Sequence, residues 1–211
     1  HKDGHRLPVQ VTTVPIRDDQ GTVIGGLETF CDYSNALAAL KEAAELKELA
    51  LLCPLTGVGN RRYCDRMLEE RIGERKRNRT TLGVALFDVD HFKSVNDTYG
   101  HPVGDLVLKM VAKTLMHALR TYDFVGRWGG EEFLVLLPNA TPPDLLQVAN
   151  RLRVQVSQSS SKISQKRLKV TVSGGATIAR NDDTPESVLE RVDKLLYQSK
   201  ENGRNRVTIE S

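Results

Sequence analysis

The sequence predicts an α/β sandwich, a sheet covered by helices, with a short β-rich segment and one further helix ahead of it. Three observations predict it. Between residues 54 and 209, apolar runs suited to strands alternate with helix-forming stretches. The run Leu82-Gly83-Val84-Ala85-Leu86-Phe87 is apolar throughout, as a strand inside a sheet requires. Phe124–Trp128 and Phe133–Leu137 flank Gly129-Gly130-Glu131-Glu132, the pattern of a hairpin.

Taken in order, residues 1–34 read as three short strands. Lys2-Asp3-Gly4-His5 and Asp18-Asp19-Gln20-Gly21 are turn signals. Between them Val9, Val11 and Thr13 alternate with Gln10, Thr12 and Val14, and Thr22–Cys31 favours another strand. Residues 35–52 are rich in Ala, Leu, Glu and Lys, all helix formers. Leu37, Leu40, Ala44 and Leu51 follow coiled-coil spacing, interrupted by Lys47, so the helix suits either a dimerising signal helix or a linker lying on its own domain. Pro54 stops it. A helix is expected at Arg61–Arg77 and a strand at Thr81–Asp88. Pro102 opens a helix to about Leu119. Thr141-Pro142 starts another by an N-cap followed by proline. Lys169–Ile178 reads as a strand, Thr184-Pro185 caps a last helix to about Lys200, and Val207–Ile209 closes the sheet.

Composition excludes several classes. The 30 basic and 27 acidic residues leave a net charge of +3, too little for a broad duplex-binding face, so no nucleic acid partner is expected. Small anionic ligands need only a few local cations and remain open. Cys31, Cys53 and Cys64 fit neither a disulfide framework nor a metal pattern and read as reduced thiols of a cytoplasmic protein. No apolar run reaches the roughly 20 residues of a spanning helix. The chain opens with His1 and is expected to be part of a longer protein, through which alone a membrane would be reached.

Chemistry concentrates where the apolar strand ends in Asp88-Val89-Asp90. Strand residues two apart share a face, so both carboxylates can project together. The hairpin tip can bring Glu131 and Glu132 close by. Crowded carboxylates repel, and a divalent cation resolves the conflict; Mg²⁺ accepts carboxylate and carbonyl oxygens and shares its remaining positions with phosphate. The plain alternative is that the aspartates merely end a strand and the glutamates sit on a solvated turn. The two glycines before the glutamates favour close approach to a ligand.

Five segments then carry a resemblance. Leu55-Thr56-Gly57-Val58-Gly59-Asn60-Arg61-Arg62, Phe87-Asp88-Val89-Asp90-His91-Phe92-Lys93-Ser94-Val95-Asn96-Asp97, Gly100-His101-Pro102-Val103-Gly104-Asp105, Arg127-Trp128-Gly129-Gly130-Glu131-Glu132-Phe133 and Lys200-Glu201-Asn202-Gly203-Arg204-Asn205 resemble, in order, the motifs of the GGDEF domain family. The resemblance spans roughly residues 53–209. It implies a palm-type, ferredoxin-like α/β domain similar to nucleotidyl cyclases, and a diguanylate cyclase that condenses two GTP into cyclic di-GMP. It implies two Mg²⁺ ions, with Mn²⁺ as a substitute, held by Asp88, Glu131 and the Val89 carbonyl. One ion would activate the attacking oxygen and the other steady the leaving pyrophosphate. Glu131 or Glu132 would help deprotonate the 3′-hydroxyl, and Lys93 would meet developing negative charge. Phe92, Lys93, Asn96, His101, Asp105, Lys200 and Arg204 would contact the nucleotide. The Phe92-Lys93 turn offers backbone N–H groups to phosphate. Asn96 and Asp105 would read guanine, whose N1–H and N2–H₂ suit a carboxylate. Lys200 and Arg204 would grip the outer phosphates. Read without the motif, Asp105 is a helix cap and Lys200 and Arg204 are cations at a helix C-terminus.

Residues 1–34 resemble the C-terminal strands of a PAS sensory domain, with 35–52 a signalling helix and 53–211 the cyclase domain. Arg120-Thr121-Tyr122-Asp123, five residues before Gly129, resembles the family's R-x-x-D inhibitory site for the product, with Arg151 assisting; otherwise it is a surface ion pair. Two GTP sites must face each other, so a homodimer is implied. One departure stands out: Cys53 occupies the position of the usual Asp in D-x-L-T. The rival readings are a catalytically inactive domain that senses cyclic di-GMP or GTP, a cyclase making a mixed adenine–guanine product, and a plain interaction module.

Overall fold

The computed structural model describes residue 4 and residues 7–39, 51–163 and 166–210. The chain divides into two compact units, His1–Ala50 and Leu51–Ser211. In the first, β1 (Val9–Arg17) and β2 (Val23–Asp32) pair antiparallel, from Val9 opposite Asp32 to Arg17 opposite Val23. The described residues thus hold two strands here rather than three, because Val9 to Arg17 is one unbroken extended run. Asp18 closes the turn by accepting the Gln20 and Thr22 N–H groups. Helix is present over residues 34–39. Residues 40–50 of the expected signalling helix lie outside the described residues. Leu51 and Leu52 are not helical; Leu52 bridges to Gly59.

The second unit is a five-stranded sheet with helices on both faces. Its elements are α1 (Arg61–Asn78), β3 (Leu82–Val89), α2 (Phe92–Tyr99), α3 (His101–Ala118), β4 (Phe124–Gly129), β5 (Glu132–Pro138), α4 (Pro142–Gln158), a small hairpin β6 (Ser161–Ile163) and β7 (Lys166–Leu168), β8 (Val172–Ile178), α5 (Pro185–Glu201) and β9 (Val207–Ile209). The sheet order is β4-β5-β3-β8-β9, antiparallel except for the parallel β8–β9 pair. The helix ends obey their capping chemistry. Thr141 and Thr184 each close a reciprocal capping box, with Asp144 and Ser187, and each is followed by a proline.

β3 is the central strand, and all eight of its residues are buried. Its period of two sorts the core. Ala85, Phe87 and Val89 join Phe133, Val135 and Leu137 of β5 in a cluster with Val107, Val111 and Leu115 of α3 and Leu145, Leu152 and Val156 of α4. Val84 and Leu86 join Leu134 and Leu136 against Leu68 and Ile72 of α1 and Val188, Val192 and Leu196 of α5. Each such Val, Leu, Ile or Phe side chain contributes about 1.5–3 kcal/mol by leaving water. The same alternation assigns Asp88 and Glu132 to the face covered by α1 and α5.

Candidate active site

Asp88 lies directly opposite Glu132 in the β3–β5 register, and its other neighbour is Ser173 of β8. Glu131 occupies the tip of the β4–β5 hairpin. Gly129 pairs with Glu132, and Gly130 between them has φ +35°, a backbone that L side chains rarely adopt. The Glu131 carbonyl accepts the Val89 N–H at 3.3 Å, so the tip is fastened to the end of β3. Arg127 secures the hairpin from behind, donating from Nε to the Gly130 carbonyl at 2.8 Å.

The electrostatics match this crowding. Burial raises the pKa of Asp88, aided by Asp90, while Lys200 and Arg204 oppose the rise. Burial raises Glu131 and Glu132 as well, and in both the Asp88 charge adds to it while Lys200 pulls down. Three carboxylates therefore share one field with one nearby ammonium: Lys200 Nζ is 2.8 Å from Asp88 Oδ2. Among the described residues, no three His, Cys, Asp or Glu side chains gather tightly enough to hold an ion by themselves. Mg²⁺ asks for less, one or two carboxylates beside phosphate and water, and the pairing of mutually repelling acids with the adjoining backbone fits that demand.

Asp90 does not join this group. Asp90 carries the β3–β8 register one step past the strand, its N–H donating to the Thr171 carbonyl at 2.9 Å, but its carboxylate is already taken up by other donors. Its Oδ1 accepts from the Ser173 hydroxyl at 2.6 Å, and its Oδ2 from the Thr171 hydroxyl at 2.6 Å and the Asn205 N–H at 3.1 Å.

On the nucleotide side, Phe92 opens α2 and is buried, whereas Lys93 is exposed. His91 precedes them with φ +57°, turning the chain from strand into helix. Asn96 lies at the α2–α3 contact, and its Oδ1 is buried without a hydrogen-bond partner. Gly104 makes that placement possible, since any Cβ there would overlap Asn96 Oδ1 and approach Phe92 Cζ to 3.2 Å. His101 and Asp105 are exposed on the first turns of α3. The role of Gly104 was not read from the sequence, although its place in the His101–Asp105 motif was the available signal.

Arg120, Asp123 and Arg151 come together, lining a cavity of about 110 Å³ with Asn139, Asp144 and Gln147. Asp123 Oδ2 accepts the Arg120 N–H at 2.9 Å, and the Arg120 guanidinium donates to the Tyr122 hydroxyl. Arg151 donates to the Ala118 carbonyl. Cys53 lies under the hairpin: Arg127 reaches its Sγ at 3.7 Å. Burial pushes the Cys53 thiol up, but hydrogen bonds from Thr56, Arg127 and the Leu55 backbone outweigh it, and its pKa is lowered.

A family model described as "Diguanylate cyclase, GGDEF domain" matches residues 50–206. The chain is 39% identical over 192 residues to diguanylate cyclase DgcP of Pseudomonas aeruginosa, covering 89% of this chain and 29% of that protein. It is 39% identical over 195 residues to diguanylate cyclase A of Treponema denticola, covering 85% of this chain and 52% of that one. The chain thus spans about half or less of each of these relatives. Among solved structures, the coiled coil and GGDEF domain of DgcB from Caulobacter crescentus, in complex with c-di-GMP, superposes with a TM-score of 0.79 at 32% identity, covering 84% of this chain and 95% of that one. The five-stranded sheet with helices on both faces is therefore the palm-like cyclase fold. The chain belongs to the GGDEF family of diguanylate cyclase domains.

Proposed function

We propose that this chain carries the catalytic part of a diguanylate cyclase, condensing two GTP into cyclic di-GMP with release of two pyrophosphates. The observation that carries the reading is the convergence of Asp88, Glu131 and Glu132, each raised by burial and by its neighbours, beside Lys200. Asp88, Glu131 and the Val89 carbonyl would hold Mg²⁺, which when bound supplies charge neutralisation for the triphosphate and a lower pKa for the attacking hydroxyl. The chain's own groups do the rest. Lys93, on the first turn of α2, meets charge developing on the phosphates. Lys200 and Arg204 grip the outer phosphates. Asn96, whose buried Oδ1 has no partner, and the exposed Asp105 carboxylate would read the guanine edge, whose N1–H and N2–H₂ are donors, with Phe92 and His101 completing the nucleotide contacts. Glu131 or Glu132, its basicity raised by burial, accepts the 3′-hydroxyl proton.

The reaction joins two nucleotides held by two copies, so the working form is a twofold homodimer in the cytoplasm. The segment that begins at residue 35 and stops short of the non-helical Leu51 would act as the signalling linker, and the β1–β2 hairpin as the end of a PAS-type sensor. Arg120, Asp123 and Arg151 form a product-inhibition site; their shared cavity offers guanidinium to phosphate or guanine and carboxylate to the guanine N–H groups.

Incubation with GTP and Mg²⁺, with ATP in competition and the product identified by mass, tests the reading. Cyclic di-GMP from the wild type and none from Glu131→Gln is expected. Nucleotide binding with no product would establish the inactive receptor instead.

A further inference from the structure

The loop after α5 is strained. Gly203, Arg204 and Asn205 have φ of +101°, +60° and +46°, so two consecutive non-glycine residues follow a glycine in the left-handed region. Such conformations persist only where the surroundings over-determine them. Here they do. The Arg204 N–H donates to the Ser199 carbonyl at 3.0 Å, and the Gly174 N–H to the Arg206 carbonyl at 2.9 Å. Arg153 of α4 donates to the Asn205 carbonyl at 3.2 Å and to its side-chain oxygen at 2.9 Å. The Asn205 N–H ends on Asp90 Oδ2.

Asp90 is buried, only 5% exposed, and a buried carboxylate is costly unless satisfied. Thr171, Ser173 and Asn205 satisfy it, tying β3, β8 and the strained loop at one point. The loop leads from Lys200, paired with Asp88, through Arg204, whose charge also acts on Asp88. Lys200 stands on the last turn of α5, whereas Arg204 is part of the loop, so the loop conformation sets where Arg204 stands beside it.

We propose that Asp90 is a positioning residue, not a metal ligand or a base: with Arg153 it locks residues 203–205 in their strained conformation and so holds Arg204, beside the helix-borne Lys200, toward the phosphates. This rests on the cyclase reading above. The Asp90→Asn variant tests it, because a carboxamide at this position can keep an oxygen toward Thr171 and Asn205 while its amide donates to the Ser173 hydroxyl. A ligand or base could not survive that change.

The experiment combines amide hydrogen exchange at Asn205, affinity for a non-hydrolysable GTP analogue, and kcat and KM for GTP. In Asp90→Ala the Asn205 amide should exchange faster and the analogue bind about tenfold more weakly, the equivalent of one charge-assisted hydrogen bond, with the loss in KM rather than kcat. Asp90→Asn should restore most of the protection and affinity, whereas Asp88→Asn should be inactive. Arg153→Gln, which leaves the buried cluster intact, should shift exchange and affinity in the same direction by less. Unchanged exchange and affinity in both Asp90→Ala and Arg153→Gln would overturn the proposal. So would an Asp90→Asn protein that keeps Asn205 protected yet is as inactive as Asp88→Asn. A wild type that forms no cyclic product overturns the cyclase reading alone, since exchange and analogue binding still decide the lock.

Discussion

Lys200 Nζ and Asp88 Oδ2 are 2.8 Å apart, joining the residue assigned to phosphate to the residue assigned to the metal. The pair is largely sheltered, with the Asp88 side chain 10% exposed and that of Lys200 32%. Removing the ammonium leaves a buried carboxylate without its partner. Asp88 already has a raised pKa, so the folded state binds protons more tightly than the unfolded one, and stability falls as pH rises from the ordinary carboxylate range through the folded-state value. Lys200→Ala raises that value further. In metal-free buffer the variant should be less stable than the wild type by about 1–3 kcal/mol at pH 8, and the gap should close as the pH drops below the carboxylate range. Thermal melts across pH check this; a gap that does not vary with pH would refute it.

Gly104→Ala tests the guanine side. The added Cβ would collide with Asn96 Oδ1 and crowd Phe92. Overpacking of this kind costs about 1–3 kcal/mol. The melting temperature should fall, and the affinity for a GTP analogue should fall with it. Wild-type affinity in a folded Gly104→Ala protein would remove Asn96 from the site.

Cys53→Asp restores a carboxylate facing Arg127. Arg127 holds the Gly130 carbonyl, so the ion pair would stiffen the hairpin that presents Glu131. A gain of about 1 kcal/mol in stability and a faster initial rate are expected, measured by thermal melting and pyrophosphate release. A stabilised protein with an unaltered rate would show that this contact does not govern the hairpin.

Arg120→Ala should leave the uninhibited rate intact and weaken inhibition by added cyclic di-GMP at least about tenfold, as loss of a bidentate charged contact implies. Rates against product concentration read this directly. Equal sensitivity in variant and wild type would dismiss the inhibitory assignment.

The sheet was legible because its central strands are apolar runs. Leu82–Val89 and Glu132–Pro138 differ from the expected spans by one residue at either end, and the Thr-Pro starts of α4 and α5 fell where capping chemistry put them. β6 and β7 were not read, since the polar run from Ser157 to Lys169 shows no alternation. β8 starts at Val172 rather than Lys169. The acidic cluster was half legible. Period two places Asp88 and also carries Asp90 along the same register, but no period tells which donors take up the Asp90 carboxylate. Its donors, Thr171 and Ser173, are more than 80 residues away in sequence, beyond any local pattern.

Equilibrium binding of Mn²⁺ in the presence of a non-hydrolysable GTP analogue, followed by electron paramagnetic resonance, bears most directly on the central claim. The wild type should bind the ion together with the nucleotide, and Asp88→Asn and Glu131→Gln should each weaken it at least about tenfold while still folding. Equal Mn²⁺ affinity in all three proteins would contradict a shared ion at the strand end and hairpin tip.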